Sequence, residues 1–165
     1  MTVALTGFMG SGKSTVGKEL AALLGIPFID LDRYIEHKAG ESIPEIIAEG
    51  EDRFRALEAE ALRDVVIMSE IQNEDRVLAL GGGTVGIKAI RHLLTGHMKC
   101  VYLRTGFDTI CKRLEGELES RPLFSEKLYR ERLPLYEEAA FTVDTDGREP
   151  EEIAREIRAF LENNC

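Results

Sequence analysis

The chain has 165 residues, and 21 Lys and Arg against 30 Asp and Glu leave a formal net charge of −9. That length fits one domain over 1–165 that buries its own core without metal or disulfide support. The acidic balance excludes general binding to nucleic acid or to an anionic membrane surface, but not a small anionic ligand held by a few local cations. Cys100, Cys111 and Cys165 have neither the number nor the spacing of a disulfide framework or metal motif. Met1 to Thr6 has no basic, cleavable leader, and no apolar run nears the roughly 20 residues of a membrane span. A monomeric, cytoplasmic, reduced protein is expected.

In chain order, Val3 to Thr6 reads as a strand ending at Gly7. Lys13 to Leu24 places Val16, Leu20, Leu23 and Leu24 on one helical face, and Gly25 and Pro27 stop it. Pro27 to Leu31 reads as a short buried strand. Ser42-Ile43-Pro44-Glu45 has the form of a capping box, so a helix starts there; Gly50 interrupts it, and Glu51 to Met68 resumes with Phe54, Leu57, Ala61 and Val65 on one side. Val77 to Leu80 is a third strand running into Gly81-Gly82-Gly83, and Val85 to Leu94 reads as helix. Cys100 to Leu103 is a fourth strand, followed by a helix from Phe107 to Leu114. Gly116 to Lys127 reads as irregular and charged. Leu128 to Ala139 reads as a helix bent or broken by Pro134. Phe141 to Asp144 is a fifth strand, and Pro150-Glu151-Glu152 opens a last helix. Strands alternating with helices predict an α/β fold with a parallel sheet covered on both faces. Ligands in such folds sit at the carboxyl ends of the strands.

Gly7-Phe8-Met9-Gly10-Ser11-Gly12-Lys13-Ser14 fits G-x-x-x-x-G-K-S/T between a strand and a helix. The glycines turn backbone N–H groups inward around phosphate oxygens, and the helix N-terminus adds partial positive charge. Lys13 is placed for the β- and γ-phosphates and the Ser14 hydroxyl for Mg²⁺. A chance match somewhere in a chain this long has a probability on the order of one per cent. No Asn-Lys-x-Asp base-recognition motif is present, which excludes a GTPase of that type. The third strand ends in glycine rather than the Asp of motor-type ATPases. A small-molecule kinase is the best class.

Phe28-Ile29-Asp30-Leu31-Asp32 places two carboxylates on one face if the strand persists. Such a pair needs a cation or hydrogen-bond donors: Mg²⁺ for one and substrate hydroxyls for the other would serve, and so would a helix N-cap. Gly81-Gly82-Gly83 admits either close approach of backbone to a ligand or a tight turn. Arg55 has Glu51 at i−4 and Glu58 at i+3, so an ordinary ion pair also explains it. Arg121 and Arg132 read equally well as solvated charges. These cations gain meaning only together.

Together, Gly7 to Thr15, Phe28-x-Asp30-x-Asp32, Phe54-Arg55-x-x-Glu58, Gly81-Gly82-Gly83, Arg121-Pro122-Leu123 and Arg132-x-Pro134-Leu135-Tyr136 resemble the shikimate kinase family over nearly the whole chain. The resemblance implies a P-loop NTPase of three α/β/α layers with a five-stranded parallel sheet ordered 2-3-1-4-5. It implies phosphorylation of the shikimate 3-hydroxyl by ATP with Mg²⁺, a step in aromatic amino-acid biosynthesis. Gly10, Ser11, Gly12, Lys13, Ser14 and Thr15 would bind the ATP phosphates, and Arg148 and Pro150 would pack near adenine. Asp32 would bind shikimate hydroxyls and act as base, and Asp30 would help hold Mg²⁺ beside Ser14. Arg55 and Arg132 would clamp the substrate carboxylate, with Gly82 and Gly83 offering backbone contact. Arg121 would reach over the transferring group from a mobile lid at about 116–127, and about 32–62 would form the substrate-binding helical segment. The family's lid is usually several residues longer than the Arg121–Arg132 spacing here, and Ser125 to Lys127 fall outside its pattern. Another hydroxy-acid kinase, such as one for gluconate, shares the phosphate loop but lacks the Phe54-Arg55 and Arg132-x-Pro-Leu-Tyr pairing. Retention of Lys13, Asp32, Arg55 and Arg132 argues against an inactive nucleotide-binding regulatory module.

Overall fold

The structure, a computed structural model, describes residues 1–121 and 123–164; Pro122 and Cys165 lie outside the described residues. Strand β1 is Thr2–Thr6, followed by helix α1 at Lys13–Leu24, β2 at Phe28–Asp30, and helices α2 at Leu31–Ala39, α3 at Ile43–Ala48 and α4 at Glu51–Gln72. The chain continues through β3 at Val77–Ala79, α5 at Arg91–His97, β4 at Met98–Arg104, α6 at Phe107–Arg113, α7 at Glu126–Tyr136, β5 at Phe141–Asp144 and α8 at Pro150–Asn163. The five strands form one sheet in the order β2-β3-β1-β4-β5, and every neighbouring pair is parallel.

The period-two alternation of β1 divides the core. Val3 and Leu5 join Val16 and Leu20 of α1 and Ile153, Ile157 and Leu161 of α8 in one apolar layer. Ala4, with Leu78 and Tyr102 of the adjacent strands, joins the layer under α4, α5 and α7. Truncating a fully buried leucine in such a layer costs on the order of 2–5 kcal/mol. The capping box of α3 forms as its sequence implies: the Glu45 N–H donates to Ser42 Oγ at 3.3 Å and the Ser42 N–H to Glu45 Oε2 at 2.9 Å. Pro150 opens α8, with Glu151 and Glu152 in its first turn.

Four expectations are corrected. Strand β2 ends at Asp30 and is only half-buried, because it is the sheet edge and pairs with β3 alone. Asp32 is therefore the second residue of α2 and not a strand neighbour of Asp30. The stretch 85–94 is not one helix: two 3₁₀ turns, Thr84–Gly86 and Lys88–Ile90, are separated by Ile87 in extended backbone (φ −81°, ψ 102°), and α5 begins at Arg91. Helix α7 starts at Glu126, capped by the Ser125 hydroxyl accepting from the Leu128 N–H at 3.1 Å, and it runs through Pro134. The proline withholds a donor from the carbonyl of Arg130, an exposed residue that water can serve.

Candidate active site

The chemistry-bearing loops all leave the carboxyl ends of parallel strands. After β1 the chain turns at Gly10 and Gly12, the latter at φ +90°, which admits the N-terminus of α1. Lys13 folds back over this loop, its Nζ donating to the carbonyls of Gly7 at 2.7 Å and Phe8 at 3.0 Å. Burial lowers the Lys13 pKa to about 8, opposed by the charge of Asp32. Ser14, one residue into α1, donates its hydroxyl to Asp30 Oδ2. The other oxygen of Asp30 caps α2, accepting from the Arg33 N–H at 3.2 Å. Asp30 is thus both a helix cap and the partner of Ser14.

Lys13, Ser14, Thr15, Asp30, Asp32 and Arg121 share a cavity of ≈ 320 Å³ with Gly10 and Gly12. Ser11 is 1% exposed and does not line it. A second cavity of ≈ 80 Å³ is bordered by Asp32, Arg55, Gly82, Gly83, Arg121 and Arg132. The two adjoin, because Met9, Asp32, Gly82 and Arg121 line both.

Asp32 stands at that junction with Oδ1 buried and without a hydrogen-bond partner among the described residues. Burial, then the charges of Glu58 and Asp30, raise its pKa to about 6. Arg55 projects from the first turns of α4 toward Glu58, at 2.5 Å, and Glu51, at 3.3 Å. The ion pairs legible in the sequence therefore exist, and they aim the guanidinium at Gly83. A Cβ on Gly83 would lie 2.6 Å from Arg55 Nη1 and 2.7 Å from Arg132 Nη2, so only glycine lets both cations converge there. Arg132, on α7, is 8% exposed and sits 5.8 Å from the Phe8 ring centre. Among the described residues no carboxylate pairs with it.

Arg121 leaves the 3₁₀ turn Leu118–Ser120 and reaches both cavities; it lies 3.9 Å from Glu117, and its Nε is buried without a hydrogen-bond partner among the described residues. The connection that carries it is short and anchored by rings: Phe124 lies 6.0 Å from Phe8 and 5.7 Å from Phe107. Arg148 and Pro150 line neither cavity. Arg148 donates to the Asp144 carbonyl at 2.9 Å and pairs with Glu156 at 2.6 Å, beyond the end of β5.

Three contributors are not assigned to the site in the sequence reading, where Glu58 enters only as an ion-pair partner of Arg55. Glu58 is fully buried, its pKa raised by burial, and accepts from Thr84 Oγ1 at 2.8 Å. Tyr136 donates its hydroxyl to the Gly82 carbonyl at 2.5 Å. Arg113 of α6 donates to the Gly10 carbonyl at 3.1 Å. The first two lie inside recognised motifs; nothing local distinguishes Arg113 from a surface cation.

Ser14 and Asp30 offer two hard oxygens beside the phosphate loop, which suits Mg²⁺ held partly by nucleotide phosphates. Among the described residues no group of three or more His, Cys, Asp or Glu forms a metal cage.

The family model of shikimate kinase matches residues 9–162. A shikimate kinase of Dictyoglomus turgidum is 39% identical, covering 94% of this chain and 94% of its own. One of Thermus thermophilus is 42% identical over 94% of this chain and 86% of its own. The structure of a shikimate kinase from Acinetobacter baumannii in complex with shikimate superposes with a TM-score of 0.89 at 35% identity, covering 99% of this chain and 93% of that one. With a phosphate loop, an acidic residue at the cavity junction and two converging arginines in one α/β domain, the chain belongs to the shikimate kinase family, ATP-dependent kinases on the P-loop fold.

Proposed function

We propose that this protein transfers the γ-phosphoryl group of ATP to the 3-hydroxyl of shikimate, giving shikimate 3-phosphate and ADP. One observation carries the reading. Arg132 is a buried cation without a carboxylate partner among the described residues, and beside Arg55 it faces a cavity next to the phosphate loop. A buried unpaired charge is costly, and a carboxylate ligand relieves it. Two guanidinium forks read a planar carboxylate bidentately.

In this reading the phosphates of ATP lie along Gly10 to Thr15, with Lys13 on their terminal oxygens. Ser14 and Asp30 would hold Mg²⁺ together with the phosphates, and the ion would supply charge neutralisation on the transferring group. Asp32 Oδ1 accepts the proton of the attacking hydroxyl as the new O–P bond forms and the bond to the ADP oxygen breaks. Its unpaired, desolvated carboxylate supports that role. Arg121, in the lid at 116–127, spans the junction and offsets charge on the group in flight. Gly82 and Gly83 support the substrate by their backbone, and segment 32–62 shapes its pocket. Arg148 and Pro150 flank the adenine. The ATP requirement and free Cys100 and Cys111 fit a reducing cytoplasm.

The test is to replace the fork by a point charge. Arg55→Lys and Arg132→Lys should each raise the shikimate KM roughly tenfold while moving the ATP KM less than about twofold. An unchanged shikimate KM in both variants would leave the arginines as structural ion-pair partners only.

A further inference from the structure

A cavity of ≈ 330 Å³ lies over the sheet between α5 and the C-terminal end of α7, and it shares no lining residue with the two catalytic cavities. Its volume falls in the range of small-ligand pockets. Thr6 of β1 and Cys100 of β4 form part of its base, and Val85, Leu94, Met98 and Leu135 supply apolar walls. Two features make it more than a packing gap. Thr6 is 1% exposed, and its Oγ1 has no hydrogen-bond partner among the described residues. Such a buried hydroxyl is destabilising until a partner reaches it. The lining also includes one cation and one anion, Arg91 and Glu138, which lie 3.8 Å apart with side chains 44% and 62% exposed. A pair this open contributes little to stability and is easily divided between other partners.

We propose that this cavity binds a small zwitterion with an α-amino-acid head, an apolar body and a hydroxyl tip. The carboxylate meets the fork of Arg91 and the ammonium meets Glu138. The apolar body displaces water from Val85, Leu94, Met98 and Leu135, and the hydroxyl pairs with Thr6.

The experiment is calorimetric titration of the full chain with L-tyrosine as probe, with L-phenylalanine lacking the hydroxyl and 3-(4-hydroxyphenyl)propionate lacking the ammonium. It reads binding and not turnover, so its outcome is independent of the proposed kinase reaction. Saturable binding of L-tyrosine with a Kd below about 1 mM is expected, unaltered by ATP and shikimate together. Arg91→Gln, at an exposed site that leaves the fold intact, should weaken it about fivefold or more. Thr6→Val should reduce L-tyrosine to the affinity of L-phenylalanine and leave L-phenylalanine unchanged. No saturation up to about 2 mM L-tyrosine, binding unmoved by both substitutions, or binding lost when the catalytic ligands are present would overturn the proposal.

Discussion

Asp32 concentrates the conflict of the site in one side chain. Its Oδ1 has no hydrogen-bond partner among the described residues, it lies near Glu58 and Asp30, and its pKa stands at about 6 instead of 3.8. Below about pH 4 the carboxyl is protonated in folded and unfolded chains alike. Between about 4 and 6 the folded state keeps a proton that the unfolded state releases, so stability falls as pH rises through that window. Above 6 the full cost is present, at most about 3 kcal/mol. Asp32→Asn should therefore melt higher than the parent at pH 7.5, bind ATP with nearly the parent Kd, and lose roughly 10²–10⁴ in kcat. Loss of ATP affinity would put Asp32 in the wrong role. With Lys13 lowered to about 8, kcat/KM of the parent should be bell-shaped with limbs near 6 and 8. The acid limb should vanish from the residual activity of Asp32→Asn; an unmoved acid limb would assign it to another group.

Helix α7 couples the acceptor pocket to the phosphate side. It carries Arg132 on one turn and Tyr136 on the next, and Tyr136 anchors the Gly82 carbonyl. Tyr136→Phe should cost about 1–2 kcal/mol in stability by orphaning that carbonyl. Its kinetic signature is a raised shikimate KM with little change for ATP; an equal rise in both would mean a general loosening of the fold. This scale also shows where sequence reading succeeds and where it stops. Ser42 with Glu45 specifies a capped helix because both hydrogen bonds are local. Segment 85–94 has helical composition, yet tertiary bonds override it: Thr84 is drawn to buried Glu58, and Ile87 leaves helical backbone. Asp30 could be read as cap or as site residue; one of its oxygens caps α2 and the other accepts from Ser14. Arg113 touches the phosphate loop across 103 positions of sequence, a pairing no local pattern encodes.

For the molecule as a whole, the net charge of −9 leaves an anionic ligand to a few local cations, and the pocket that gathers them is close to balanced. Lys13, Arg55, Arg121 and Arg132 share it with Asp30, Asp32 and Glu58, so anion binding rests on burial and aim more than on net charge. Burial pushes the Cys100 thiol up to about 11, which keeps it in its unreactive, protonated form. Two core layers on one sheet predict a single cooperative unfolding transition. ATP with Mg²⁺ at about a hundredfold over its Kd should raise the midpoint by roughly 5–10 °C; two separate transitions would contradict one domain.

The most direct test of the central claim is ADP release with ATP and Mg²⁺ across a panel of hydroxy acids that includes shikimate, gluconate and quinate. Turnover with shikimate, phosphate on its 3-hydroxyl, and little above background with the others are expected. Absence of shikimate-dependent ADP release, or equal turnover with gluconate, would contradict it.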